Sequence, residues 1–413
     1  KWELDFAVIG EVTAPGPDGA RMVLEWNGEV VCDLPLGPLA DEAPLYDRPH
    51  VATVAPAPLG AVPECRDPAA DLLALAGSPD LASRRWIFEQ YDSGVGADTL
   101  QKPGGDAAVV RIHGTARALA ISTDCTPRYC LADPGMGGRQ AVAETWRNIT
   151  AVGARPLAIT NCLNFASPER PEIMGQLVGC IEGMAEASRA LDYPVVSGNV
   201  GLYNESRAAT DGAGSAILPT PAIGGVGVID DHSQMATIAF KALGEIIFLV
   251  GERRGELGQS LWLREIHRRA GADAGPPPTV DLTAERRTGD FIREAIRAGL
   301  TSAVHDVSDG GVAVAVAEMA LAGGIGALIE ADVRGADIAP ALFAEDQGLY
   351  VVTVPDAALM PFLARAQAAG VLIDRLGRTI ASRIIFELAD SDHAVTIAAL
   401  RDAHETFFRR WMD

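Results

Sequence analysis

The sequence predicts an α+β fold in two lobes, with an α/β layout as the neighbouring reading, and three observations carry it. Short apolar runs of strand length, such as Ile246–Val250, are interleaved with longer spans of helical periodicity. A second such mixture begins near Gly244, where a new strand opens at Glu245. The chain has 413 residues, 48% of them hydrophobic, which at ~100–200 residues per domain supports two or three cores.

Taken in order, residues 1–55 read as strands and turns. Lys1 to Ile9 alternates polar and apolar as a half-buried strand does, and a chain that opens inside a strand reads as a fragment of a longer protein. Residues 56–92 combine a linker rich in Pro and Ala with helical spacing at Leu72, Leu73 and Leu75, then Trp86 and Ile87. Residues 93–240 form the next region. Strands are expected at 107–112 and 118–122, and a helix at 138–152 with Val142, Trp146 and Ile149 on one face. Buried strands follow at 156–160 and 194–197. Between them a helix at 171–191 opens on Pro171 and Glu172, both favoured in a first turn. The stretch 219–229 reads as a strand broken by Gly224-Gly225. Residues 241–413 form the last region, with strands at 245–250, 326–331 and 349–354, and helices at 260–270, 285–299 and 310–322.

The net charge of −21 opposes a broad nucleic-acid interface, yet leaves room for a small anion held by backbone N–H groups and Mg²⁺. No apolar run approaches the roughly 20 residues of a membrane span, so no membrane partner is expected. The six cysteines show no metal-ligand spacing and read as reduced thiols of a cytoplasmic protein.

The stretch from Lys102 to Tyr203 reads as a site for a phosphate-bearing ligand. Gly104-Gly105-Asp106 offers glycines whose backbone can face an anion and a carboxylate for Mg²⁺, or a plain turn before a strand. Asp124 closes an apolar run, as a metal ligand or a turn former. Asn161 lies in a loop between a buried strand and a helix, where open sheets often bind ligands. Gly198, Asn199 and Gly201 occupy a tight turn after a strand, and the Asn199 carbonyl could ligate Mg²⁺. Farther on, His305, Asp306, Ser308 and Asp309 surround a helix N-terminus, with Ser308 or Asp309 as a natural N-cap and His305 as a possible general base or a structural histidine. Glu345 and Gln347 could bind a polar substrate or cap a loop.

Together, Gly104-Gly105-Asp106-Ala107-Ala108-Val109, Thr123-Asp124-Cys125, Asn164-Phe165, Ser197-Gly198-Asn199-Val200, Leu257-Gly258-Gln259-Ser260, His305-Asp306-Val307-Ser308-Asp309-Gly310-Gly311 and Glu345-Asp346-Gln347-Gly348 resemble the phosphoribosylformylglycinamidine synthases, in particular the synthetase subunit of the multi-subunit bacterial form. The resemblance covers nearly the whole chain. It implies the second half of a duplicated synthetase: the end of a first B lobe (1–55), a linker and helix (56–92), a second, PurM-like A lobe with a mixed sheet and helices (93–240) and a second B lobe (241–413).

The implied activity is that of a carbon–nitrogen ligase of purine synthesis. ATP phosphorylates the amide oxygen of formylglycinamide ribonucleotide, and ammonia displaces the phosphate. Implied partners are a glutaminase subunit and a small bridging subunit; implied cofactors are ATP and Mg²⁺. By residue, the resemblance assigns ATP contact to Asn161 and Gly198, Mg²⁺ to Asn199 and substrate contact to Gly201, where the family carries Asp and Ser at positions 161 and 201. Gly104, Gly105, Asp106 and Asp124 would line an auxiliary nucleotide site. The catalytic residues are expected in the first half, so the chain by itself is expected to be inactive. Alternatives are a non-catalytic nucleotide-binding or assembly module, or another ATP-dependent enzyme of the superfamily, namely an aminoimidazole ribonucleotide synthetase, a selenophosphate synthetase or a thiamine-phosphate kinase.

Overall fold

The computed structural model describes residues 4–207, 214–331 and 333–412, and the chain divides into two compact units, Lys1–Pro49 and His50–Asp413. In the first unit β1 (Arg21–Trp26) and β2 (Glu29–Pro35) form an antiparallel hairpin, followed by the short helix α1 (Leu36–Ala40). Asn27 and Gly28 both have positive φ (52° and 84°), as the two-residue turn of a right-twisted hairpin demands. The strand expected at 1–9 does not form: Lys1 to Glu3 lie outside the described residues, and residues 4–9 are exposed and irregular. Alternation alone makes no strand where no neighbour accepts its hydrogen bonds.

The second unit opens with α2 (Pro68–Ala76), capped by the Asp67 carboxylate, and α3 (Arg85–Phe88). There are two helices here, and Trp86 and Ile87 are exposed. Next come β3 (Thr99–Gln101), β4 (Ala108–Arg111), β5 (Ala118–Asp124), α4 (Pro127–Ala132), α5 (Pro134–Ala151), β6 (Arg155–Asn164), α6 (Pro171–Leu191), β7 (Val195–Gly201), β8 (Glu205–Arg207), β9 (Gly214–Ala216) and β10 (Thr220–Ile229). Six of these strands form a sheet in the order β3-β4-β5-β10-β6-β7, with only β6 and β7 parallel. Gly224-Gly225 does not break β10, which runs unbroken at the sheet's centre. A Cβ on Gly225 would collide with the Tyr193 hydroxyl and crowd Ile149 and Thr145 of α5, so the glycine lets that helix lie close on the sheet. Gly225→Ala is therefore expected to lower stability by about 1–3 kcal/mol through overpacking, read from the urea midpoint at unchanged m-value.

The remaining elements are β11 (Ile246–Val250), α7 (Leu282–Arg297), β12 (Ala303–Asp306), α8 (Gly311–Gly323), β13 (Gly326–Ala331), α9 (Ile338–Phe343), β14 (Tyr350–Val354), α10 (Leu359–Ala369), β15 (Ile373–Ile380), β16 (Arg383–Leu388), β17 (Asp392–Thr396) and α11 (Ile397–Met412). Seven strands form a second sheet, β12-β14-β11-β15-β13-β16-β17. Its interior strand β11, paired on both sides, is apolar throughout because both faces are covered. Ile247 and Leu249 enter the core shared with α8 and α9, while Phe248 and Val250 enter the one with α7 and α10. The helix expected at 260–270 is instead one wide turn at Trp262–Ile266. Arg268 has φ 55°, outside helical backbone, and the helix cannot continue through it. None of the described helices is long and apolar enough to cross a membrane.

Candidate functional site

The two sheets of the second unit meet over an open cleft of ≈ 680 Å³, lined from one side by Gly104–Asp106, Asp124 and α5, and from the other by His305, Asp306 and Ser308. Each group arrives from a strand end or helix face. Asp106 sits just before β4, after a loop in which Gly104 takes φ 111°. Asp124 ends β5, and His305 and Asp306 end β12.

The Asp106 side chain is fully buried, with Oδ1 2.6 Å from His305 Nδ1 and accepting the Asp306 backbone N–H at 3.3 Å. His305 Nε2 lies 2.9 Å from Glu318 Oε2. Burial opposes a charge on this imidazole, but Asp106 and Glu318 outweigh it and hold the pKa well above the ordinary histidine value. Both ring nitrogens are engaged by carboxylates, so His305 tethers β12 and α8 to Asp106 and leaves no ring nitrogen turned to the open cleft. Burial, then the neighbouring Asp106, push Asp306 up to about 8, with His305 and Arg147 opposing. Burial and Glu144 raise Asp124 as well.

These shifts fix a pH dependence. The folded chain keeps a proton on Asp306 that the unfolded chain releases near the ordinary Asp value. That stabilisation is complete below about pH 4 and is lost as the pH climbs through about 8. The raised His305 acts in the same direction above its ordinary value. Metal-free stability is thus expected to fall between pH 5 and pH 8, and Asp306→Asn, neutral throughout, to make the decline shallower in urea titrations at the two pH values.

Sequence reasoning missed Glu144 and Asn148, which lie one turn apart on α5 and line the same cleft. Asn148 Nδ2 donates to Asp124 Oδ2 at 3.3 Å, and Glu144 accepts from Gln140 at 3.0 Å. Their signal was present: both are polar positions on a helix whose other side carries Val142 and Ile149 into the core. A cation fits this wall. Ligand atoms of Asp106, His305 and Asp306 lie within 4.8 Å of one another; with both His305 nitrogens taken by carboxylates, the oxygens remain, and Asp106 Oδ2 and Asp306 Oδ2 are buried without a hydrogen bond. These two carboxylate oxygens, the Asp306 one also 3.7 Å from the Arg147 guanidinium, lie on the same wall as Asp124 and Glu144 and are the hard oxygen donors that Mg²⁺ takes.

Asp309, Glu345 and Gln347 do not face the cleft; they hold arginines. Arg128 of α4 donates to Asp309 Oδ1 at 2.5 Å and to Glu345 Oε2 at 2.6 Å. Glu345 is fully buried and also accepts from the Tyr129 hydroxyl and the N–H groups of Leu261 and Gly310. Arg147 of α5, fully buried, donates to Glu285, the Val307 carbonyl and Gln347 at 2.7–3.0 Å. The helix expected to be capped by Ser308 or Asp309 is preceded by Gly310 at φ 80° with no side-chain cap, because Asp309 is committed to Arg128.

Asn161, Gly198, Asn199 and Gly201 lie elsewhere. Asn161 is inside β6 and not in a loop, and Gly198 to Gly201 continue β7 where a turn was expected. In parallel register Asn161 faces Gly198, Cys162 faces Asn199 and Asn164 faces Gly201. Val195 to Val200 are exposed at the edge of the sheet, not buried. Asn199 Nδ2 donates to Cys162 Sγ at 3.4 Å. None of these four residues lines the cleft.

Residues 104–229 match the N-terminal domain, and residues 243–388 the C-terminal domain, of AIR synthase related protein. The chain belongs to this family. Over its whole length it is 60% identical to the phosphoribosylformylglycinamidine synthase subunit PurL of Novosphingobium aromaticivorans, covering 54% of that protein, and 57% identical to that of Zymomonas mobilis subsp. mobilis, again covering 54%. The resemblance read from the motifs is therefore met by relatives of that family, and the chain spans about half the length of the curated relatives it matches. Among solved structures, "T. maritima PurL complexed with FGAR" superposes with TM-score 0.62 at 19% identity, over 81% of this chain and 53% of that one. Protein tt0281 of Thermus thermophilus superposes with TM-score 0.53 at 20% identity, over 75% of this chain and 97% of that one. These likenesses bear out the α+β, PurM-like fold of the family.

Proposed function

We propose that the chain works as part of an ATP-dependent carbon–nitrogen ligase of cytoplasmic purine synthesis, and that its cleft holds a magnesium-bound nucleotide. The assembled reaction converts formylglycinamide ribonucleotide, ammonia and ATP to formylglycinamidine ribonucleotide, ADP and phosphate. The relatives named as subunits of phosphoribosylformylglycinamidine synthase support this, as do the Thermotoga maritima structures titled as complexes with FGAR and with ATP. The observation that carries the nucleotide reading is the pair of buried oxygens on Asp106 and Asp306 that make no hydrogen bond, on a cleft wall with Asp124 and Glu144. Asp106, Asp124, Glu144 and Asp306 would hold Mg²⁺, which when bound neutralises phosphate charge. The chain's own groups position the phosphates: the Gly104-Gly105 backbone approaches them, and Ser308 offers a hydroxyl from the opposite wall.

Asn161, Gly198, Asn199 and Gly201, on their exposed strand edge, are separate from this cleft, and we assign them to a second site for ATP, Mg²⁺ and substrate. The 413-residue chain alone is expected to form no product from ATP, formylglycinamide ribonucleotide and ammonia, and rapid product formation in a turnover assay would refute that. Ammonia would come from a glutaminase subunit, with a small bridging subunit as a further partner, a reading supported by the Thermotoga maritima assembly titled PurLQS. A non-catalytic nucleotide-binding module is the second reading, favoured by Asn161 and Gly201, which lack the charge and hydroxyl that the family supplies there. Calorimetry with ATP, with and without Mg²⁺, tests the cleft: Mg²⁺-dependent binding is expected, and its absence overturns the nucleotide reading.

A further inference from the structure

Asp124 and Asp306 belong to strands of different sheets, and their separation decides whether one cation touches both. Asp106 reaches β12 directly, through His305 at 2.6 Å. Asp124 reaches the second sheet's loops through Arg128, four residues further along the chain, which does not itself line the cleft. The path is short and stiff on both sides. After Asp124 the chain turns at once into α4, where Pro127 fixes one backbone angle and the Thr126 carbonyl accepts the N–H groups of Tyr129 and Cys130 at 3.0 and 3.2 Å. On the far side Asp309 comes three residues after Asp306. There the Gly311 N–H donates to the Ser308 carbonyl at 3.0 Å, and Gly310, at φ 80°, gives its N–H to Glu345 at 2.8 Å.

Arg128 grips Asp309 at two points, Nη2 to Oδ1 at 2.5 Å and Nη1 to Oδ2 at 3.3 Å. Nη2 also donates to Glu345 Oε2 at 2.6 Å, and Nε donates to the Gln259 carbonyl at 2.7 Å. One side chain of α4 thereby fixes the loops that follow β11 and β12 and the one that precedes β14. Asp309 also acts through its charge. Burial, then Glu144 and Asp309, raise the Asp124 carboxyl, so neutralising Asp309 would alter the cleft even if nothing moved.

We propose that Arg128 is a positioning residue for the cation site, and that its two-point grip on Asp309 sets the distance between Asp124 and Asp306. Mg²⁺ takes oxygen donors in a near-ideal octahedron at about 2.0–2.1 Å, so a small displacement of one carboxylate removes a ligand. Arg128 touches neither cation nor nucleotide and acts through the two aspartates it spaces. The proposal rests on the magnesium–nucleotide reading of the cleft given above.

Arg128→Lys and Asp309→Glu test it on the full chain, because each keeps every charge and loses the planar two-point fit. Calorimetry with MnATP reads the affinity, and the part of the binding that Asp124→Asn removes is the cleft's own. Each charge-keeping variant is expected to weaken that part about tenfold. The two combined should lose no more than the worse of them, since both cut one contact. A thermal melt checks folding. The Asp309 side chain is 36% exposed, so Asp309→Glu carries the test if Arg128→Lys does not fold. A contact with a structural role alone would lower the melting temperature and leave the MnATP affinity of the folded protein at the wild-type value, and that result overturns the proposal. Losses that add in the double variant overturn it too. If Asp124→Asn removes no MnATP binding from the wild type, the nucleotide reading of the cleft falls and the proposal with it; if it does and both variants bind as the wild type does, that reading stands and Arg128 is structural.

Discussion

Arg147→Met is expected to lower stability by about 3–5 kcal/mol, the largest effect of any single replacement considered for this chain. Arg147 is fully buried, and its guanidinium answers Glu285 at 3.0 Å, Glu144 at 3.3 Å and Asp306 at 3.7 Å. Removing it strands the buried Glu285 and Glu144 without their cation and takes away a charge that opposes protonation of Asp306. It also cuts the bonds from α5 to the Val307 carbonyl and to Gln347, which tie the first sheet's main helix to the second sheet's loops. Chemical denaturation measures the loss. The double variant Arg147→Met with Glu285→Met is expected to recover part of it, since the second change removes one of the stranded charges. Losses that simply add would contradict the network.

Asp124→Asn is expected to abolish nucleotide-linked stabilisation while leaving the ligand-free fold intact or slightly firmer. Burial and the acidic neighbours Glu144 and Asp309 already raise the Asp124 pKa, so the folded chain tolerates a neutral group there better than a charged one. Asn148 can still hydrogen-bond the amide oxygen in place of the carboxylate. For the wild type, MgATP at a hundredfold excess over its Kd should add about 2.7 kcal/mol of stability. The variant should gain almost none of this, as its amide offers Mg²⁺ no charge. The same carboxylate is thus a liability for the empty fold and the reason the cleft binds. Thermal melts with and without MgATP read both halves of the prediction, and a variant that keeps the full ligand-dependent gain would remove Asp124 from the site.

Much of the fold is legible where one local rule dominates. The helix at 171–191 is seen at those bounds because Pro171 and Glu172 mark its start and its apolar face repeats at helical spacing. Ile246–Val250 reads as a strand because it is short, apolar and ended by Gly251. β12 escapes sequence reading because half of its four residues are His305 and Asp306, whose polarity hides a strand buried on both faces. β7 reads as buried and turned because glycines interrupt it, yet pairing with β6 alone keeps it extended at an exposed edge. The site's parts are visible as motifs, but not their grouping. Asp106 and His305 are 199 residues apart and meet only because two sheets converge, and no local pattern reports that. For the same reason Glu345 and Gln347 read equally as substrate groups or loop caps, when arginines from α4 and α5 take up their hydrogen-bonding capacity.

A cation–nucleotide site between Asp106, Asp124 and Asp306 can be seen directly. The direct measurement is anomalous diffraction from crystals of this chain grown with ATP and Mn²⁺ in place of Mg²⁺. A Mn²⁺ peak is expected within ligand distance of carboxylate oxygens from both walls, with phosphate density beside it. A peak found only at the β6–β7 edge near Asn199, or a cleft with neither metal nor phosphate at saturating ATP, would contradict it.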